Sequence, residues 1–88
     1  MKLFPTGHVA ITPGAQNILT PAEIASMISR HTTGDWGDVP EEDKEENEQS
    51  LLHGWRLLSS YTAGNGEKIW LITEADRSAT TILLPSEY

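Results

Sequence analysis

From Trp55 onward the chain changes its periodicity, and that change limits the fold more than any other feature. Trp55 to Thr62, Glu67 to Glu74 and Ala79 to Leu84 are rich in aromatic and β-branched residues, which suit a pleated, half-buried surface. Between them lie Gly64-Asn65-Gly66 and Ala75-Asp76-Arg77-Ser78, both turn compositions. Three short strands joined by such turns predict an antiparallel meander. Apolar residues fall on both faces, Trp70 and Ile72 on one side and Ile69 and Leu71 on the other. One layer of helices cannot cover both, so the second face is expected to meet the amino-terminal segment or a partner.

Upstream the pattern is helical. Thr20-Pro21-Ala22-Glu23 reads as a capping box with proline at the first helical position, and Leu19 is placed to staple onto Ile24. A helix over Pro21 to His31 follows, with Ile24, Met27 and Ile28 on one stripe and His31 next in the series. Asp38-Val39-Pro40-Glu41 reads as another capping box, predicting a helix from Asp38 to a stop at Gly54. Its row 40, 44, 47, 51 is Pro, Lys, Asn, Leu. Only the Leu51/Leu52 end has an evident reason to be buried, so the first two turns are expected to project into solvent. His8 to Thr12 is a short β candidate stopped by Pro13-Gly14, and Ala15 to Leu19 a candidate helical turn. Residues 1–88 thus read as one α+β domain, two N-terminal helices packed on a C-terminal antiparallel three-stranded meander, with a short N-terminal strand as an optional addition. A chain of 88 residues supports one small core and is too short for a substrate domain beside a cofactor domain.

Charge narrows the function classes. The fourteen residues from Asp35 to Glu48 hold eight carboxylates and one lysine, which accounts for the whole formal net charge of −7. Elsewhere Glu23, Glu67, Glu74, Asp76 and Glu87 are balanced by Lys2, Arg30, Arg56, Lys68 and Arg77. An acidic helix start on an uncharged body makes a directional field, suited to a basic partner and unsuited to a phosphate backbone. No Lys/Arg cluster is present to make the several phosphate contacts that nucleic-acid binding needs. The plainer reading of the acidic run is solubility. The chain has no cysteine, which removes disulfides, thiolate zinc sites and thiol nucleophiles together. Its apolar runs are only a few residues long and Met1 to Thr6 lacks a signal-peptide core, so a cytoplasmic chain is expected.

Two constellations carry possible chemistry. His31, Asp35, Trp36 and Asp38 surround the loop Thr32 to Gly37, where a histidine near two aspartates suits a general base or a metal ligand set. The mechanical alternative has His31 meeting the helix carboxyl end, Trp36 burying its ring and Asp38 capping the next helix. The second set is His53, Arg56, Ser59 and Tyr61 with Arg77, Ser78, Thr80, Thr81 and Tyr88. A metal-independent ribonuclease needs these residue types: a base for the 2′-hydroxyl, and cations and hydroxyls for charge at phosphorus. Against that, the threonines are good strand formers and the overall field repels RNA. The acidic run lacks the alternating oxygen ligands and central glycine of a calcium loop. No glycine-rich phosphate loop, HExxH helix or nucleophile elbow occurs, and no cofactor or resident metal is expected.

The stretches HTTGDWGD, EEDKEENEQSLLHGWRLLSSY and KIWLITEADRSATTILLPSEY resemble a family of small uncharacterised proteins found on bacterial plasmids and other mobile elements, with TEADRSATTILLP the most distinctive part. The resemblance implies a mobile-element setting, in which small acidic proteins often act by occupying a host defence or regulatory protein. It supplies no activity and no catalytic residue. The leading expectation is therefore a non-enzymatic interaction protein that meets a basic host surface through Asp35, Trp36, Asp38, Glu41, Glu42, Glu45 and Glu46, with Trp36 as aromatic anchor. The alternatives are a ribonuclease or toxin-like enzyme using His53, Arg56, Arg77, Thr80 and Tyr88, and a homodimer joined through the second sheet face.

Overall fold

The computed structural model describes residues 1–88 and has four strands and three α-helices. In chain order they are β1 (His8–Ile11), α1 (Pro13–Ile18), α2 (Pro21–Thr32), α3 (Glu41–His53), β2 (Leu57–Thr62), β3 (Lys68–Thr73) and β4 (Ala79–Leu83), followed by a 3-10 turn at Pro85–Glu87. This is an α+β fold, with one more helix than the two expected, and the optional N-terminal strand forms as β1. β2, β3 and β4 form the expected antiparallel meander. β1 adds in parallel beside β4, so the sheet is mixed and runs β1-β4-β3-β2.

Local chemistry sets the helix ends. At α2 the capping box forms, with Thr20 Oγ1 accepting from the Glu23 N–H at 3.1 Å and Glu23 Oε1 accepting from the Thr20 N–H at 2.9 Å, which satisfies two orphan donors at once. Thr12 caps α1, turning the candidate turn at Ala15 to Leu19 into a short helix that starts earlier, at Pro13. The expected cap at Asp38 does not form. α3 starts at Glu41 with Pro40 in the cap position and no side-chain cap bond, because Asp38 Oδ2 instead accepts from Lys68 Nζ and Thr62 Oγ1, both at 3.0 Å. Gly54 stops α3 as expected, at φ 74° in the left-handed region that glycine enters without strain.

α1 and α2 cover the inner sheet face. Ala15, Leu19 and Met27 pack there with Tyr61, Ala63, Ile69, Leu71 and Ile82. A second small cluster, Phe4, Trp36, Val39 and Leu57, closes the end of this face, with Leu51 of α3 against it. The amino-terminal segment therefore seals the inner side and does not wrap the outer one. There the chain's own carboxyl end lies over the sheet, the Tyr88 ring meeting Trp70 edge-on at 5.8 Å.

α3 meets the expectation drawn from its apolar residues at Leu51 and in its exposed first turns, but not at Leu52. Leu52 is 77% exposed, while Asn47 and Ser50 are the buried residues of the helix. The helix lies along the outer edge of β2, held by Asn47, which bonds both main-chain polar atoms of Leu58. Two residues further on, Ser60 donates to the Trp36 carbonyl at 3.1 Å and accepts from the Asp38 N–H at 2.7 Å. Gly37 makes the bridge with Ser60 between them, at φ 75°, where a Cβ would lie 2.0 Å from the Ser60 carbonyl oxygen. No larger residue fits at that approach.

Candidate functional site

The loop after α2 does not gather His31, Asp35, Trp36 and Asp38 into one site. His31 ends up fully buried on the inner face, with Nδ1 2.5 Å from Ser59 Oγ and Nε2 2.8 Å from Thr73 Oγ1. Thr80 gives its only hydroxyl proton to the Thr6 carbonyl, so Thr73 donates to Thr80 and accepts from His31 Nε2–H, leaving Ser59 to donate to Nδ1. The imidazole is thus neutral and satisfied on both nitrogens. Burial, and then the charge of Arg77, push its pKa down to about 4. The ring sits edge-on to Phe4 and Trp36 at 5.2 and 5.8 Å, with no access for substrate or metal.

Asp35 and Asp38 are each paired inside the chain. Arg30 Nε donates to Asp35 at 2.7 Å and holds its carboxyl below the usual range, and Lys68 does the same for Asp38. Tyr61 donates its hydroxyl to the Asp35 carbonyl at 2.6 Å, and burial pushes its pKa up to about 12. Trp36 is 4% exposed and its Nε1–H donates to Glu48 Oε2 at 2.9 Å. The ring is a core residue and offers no surface to a partner, which corrects its expected role as an anchor. No group of three or more His, Cys, Asp or Glu side chains is placed to hold a metal ion.

The ribonuclease set is also dispersed. Ser59 and Thr80 are buried on the inner face, whereas Arg56, Thr81 and Tyr88 line a hollow of about 190 Å³ on the outer face with Ile72, Glu74, Leu83 and Glu87. The guanidinium of Arg77 is turned to main-chain carbonyls of Ser50, Trp55, Glu74 and Ala75, closing the carboxyl end of α3, where the helix dipole favours a cation. His53 stacks on Trp55 with ring centroids 4.7 Å apart and does not line the hollow. The hollow therefore has a cation and two hydroxyls but no histidine base, and Glu74 and Glu87 would oppose a phosphate there.

The densest group of exposed, uncommitted acids is on α3, Glu67 and Glu74 being single exposed acids elsewhere. Glu41 to Glu48 contains six carboxylates and one lysine. Glu48 holds Trp36, and Glu41 lies 3.5 Å from Lys44. Glu42, Asp43, Glu45 and Glu46 are exposed, and no hydrogen bond or ion pair within the chain engages their carboxylates. Sequence reasoning passed over two neighbours of this surface. Trp55 is 49% exposed, and Asn47 fixes the helix beside it; the exposed ring carries no periodic signal that separates it from a strand residue.

No helix is long and apolar enough to cross a membrane. The molecule defined by these features is an α+β domain of mixed four-stranded sheet with an acidic helix clamped to one edge. No family model, no curated protein and no solved structure matches the chain.

Proposed function

We propose that this chain is a small non-enzymatic interaction protein whose acidic α3 engages a basic surface on a partner protein. One observation carries the reading: outside α3, Glu23, Asp35, Asp38, Asp76 and Glu87 have partners within the chain and Glu67 and Glu74 stand singly, while Glu42, Asp43, Glu45 and Glu46 stand together without one. A rigid row of unpaired like charges raises the rate of encounter with a complementary surface. The resemblance to proteins of mobile elements suggests a host defence or nucleic-acid-handling protein as that partner, since such proteins present basic channels. Capture from a bacterial lysate tests it, comparing the native chain with a variant carrying glutamine at Glu41, Glu42, Glu45 and Glu46. The proposal expects a discrete protein retained by the native chain, released by salt and absent from the variant. Equal retention by both would overturn it.

A further inference from the structure

α3 and the lead into β2 form the two walls of a groove. Asp43, Glu46, Asn47 and Ser50, at helical spacing on one face, stand opposite Trp55, Arg56 and Leu58 around a volume of about 320 Å³. The base is fixed: Asn47 is bonded to Leu58, and the Ser50 carbonyl accepts from Arg77. A groove whose walls are already held loses little freedom on binding. Its charged groups are unmatched. Asp43 and Glu46 have no cation on them, and Arg56 makes no ion pair, its guanidinium lying 5.6 Å from the Tyr88 ring centroid. The half-exposed indole of Trp55, of the residue type that most often anchors an interface, shares the Arg56 end of the groove, and Leu58, bonded to Asn47, continues that wall toward Asp43 and Glu46.

The structure assigns this groove to a peptide segment of a partner that carries a lysine or arginine, then an apolar side chain, then a carboxylate. The basic group meets Asp43 and Glu46, the apolar group lies on Trp55 and Leu58, and the carboxylate meets the planar fork of Arg56, which is built for bidentate pairing. Opposite charges at the two ends set the direction of the segment. A second copy of this chain would bring another net charge of −7 to the acidic wall, so repulsion disfavours it as the occupant. The assignment rests on α3 being a recognition surface, and adds where the contact is anchored and which sequence it takes.

The test is titration of the 15N-labelled full chain with three synthetic peptides of equal length, followed by amide and indole NMR signals. The first carries Lys, Leu and Glu in that order, the second carries them reversed, and the third is oligolysine. The expected result is that the first peptide moves the Trp55 indole signal and the amides of Asp43, Glu46 and Leu58, leaves the buried Trp36 indole in place, and binds more tightly than the reversed peptide. D43N/E46Q and R56Q should each weaken it at least about fivefold, and E42Q/E45Q, with the same charge change on the other flank, less than about twofold. A dispersed spectrum for each variant shows that it is folded. If oligolysine moves α3 signals while the first peptide leaves Trp55 unmoved, or if the first and reversed peptides bind equally, the groove assignment is overturned and the acidic recognition surface stands. Absence of any response to all three peptides overturns both.

Discussion

Asn47 binds both main-chain polar atoms of Leu58, its Nδ2 donating to the carbonyl at 2.8 Å and its Oδ1 accepting from the N–H at 3.1 Å. A primary amide presents the same donor and acceptor pair as a peptide group, so one side chain of α3 stands where a neighbouring strand would. The main chain of Trp36 to Asp38 does this for Ser60. Together they close the β2 edge against pairing with another chain. They also attach a helix that has almost no apolar face. Attachment through Asn47 and Ser50 leaves the carboxylates beside them, Asp43 and Glu46, and those on the other flank, Glu42 and Glu45, unpaired.

Replacing Asn47 should therefore matter more than its polarity suggests. Asn47→Ala leaves a buried N–H and carbonyl of Leu58 without partners and should lower stability by about 1–3 kcal/mol, whereas Glu45→Gln, in solvent, should change it by less than about 0.5 kcal/mol. Denaturant titration compares them. The opened edge should also show as concentration-dependent association in size-exclusion chromatography. Equal stability of the two variants would contradict the clamp.

Thr20→Ala removes the oxygen that accepts from Glu23 N–H and should lower stability by about 0.5–2 kcal/mol. Glu23 has a further role, because its Oε2 accepts from the Gly64 N–H at 2.7 Å and joins the start of α2 to the β2–β3 turn. Glu23→Gln should therefore raise hydrogen exchange at Gly64 as well as at Thr20, while Thr20→Ala leaves Gly64 protected.

Acid should act on this fold first through His31. Its folded pKa of about 4 lies below the unfolded value of 6.5, so between these values the unfolded chain binds the extra proton and stability falls as pH falls. The loss begins near pH 6.5 and is complete below about pH 4, with an upper bound of about 3 kcal/mol from the shift alone. Asp35 and Asp38, held below their ordinary value of 3.8 by Arg30 and Lys68, give a later loss at lower pH. Denaturant midpoints of the native chain and His31→Gln at several pH values separate the two. The variant should be less stable at neutral pH, and its stability should be nearly flat from pH 6.5 to 4.5. A native-like slope in the variant would place the titration elsewhere.

Trp36 and Trp55 should exchange the roles that sequence alone suggests. Trp36→Ala removes a core ring and should lower stability by about 3–5 kcal/mol. Trp55→Ala should cost less than about 1 kcal/mol, in line with an exposed site, while weakening attachment of a partner that uses the groove. Thermal unfolding and dissociation rates measured on both variants decide the assignment.

The legible parts of this fold were those set by neighbouring residues. The Thr20 box, the Gly54 stop and the three C-terminal strands each depend on a few adjacent side chains, and each forms. Asp38 shows where that reading ends: its pattern matches a cap, but Lys68, thirty positions away, competes for the carboxylate. β1 pairs in parallel with a strand some seventy residues later, for which no local signal exists. The burial of Asn47 and Ser50 was hidden because hydrogen bonds, not apolarity, place them inside; His31 was legible as the next position on the core-facing stripe of α2, but its partners Ser59 and Thr73 were not. The acidic surface was legible as charge. Which carboxylates stay unpaired, and the groove at Trp55, depend on tertiary contacts.

The most direct test of the account is the association rate with a captured basic partner, measured for the native chain and for the variant carrying glutamine at Glu41, Glu42, Glu45 and Glu46, at low and at physiological ionic strength. If α3 steers recognition, the variant should associate about tenfold more slowly at low salt, with a much shallower salt dependence and a dissociation rate changed far less. Identical association rates and salt slopes for the two proteins would contradict the account and leave the acidic helix a role in solubility alone.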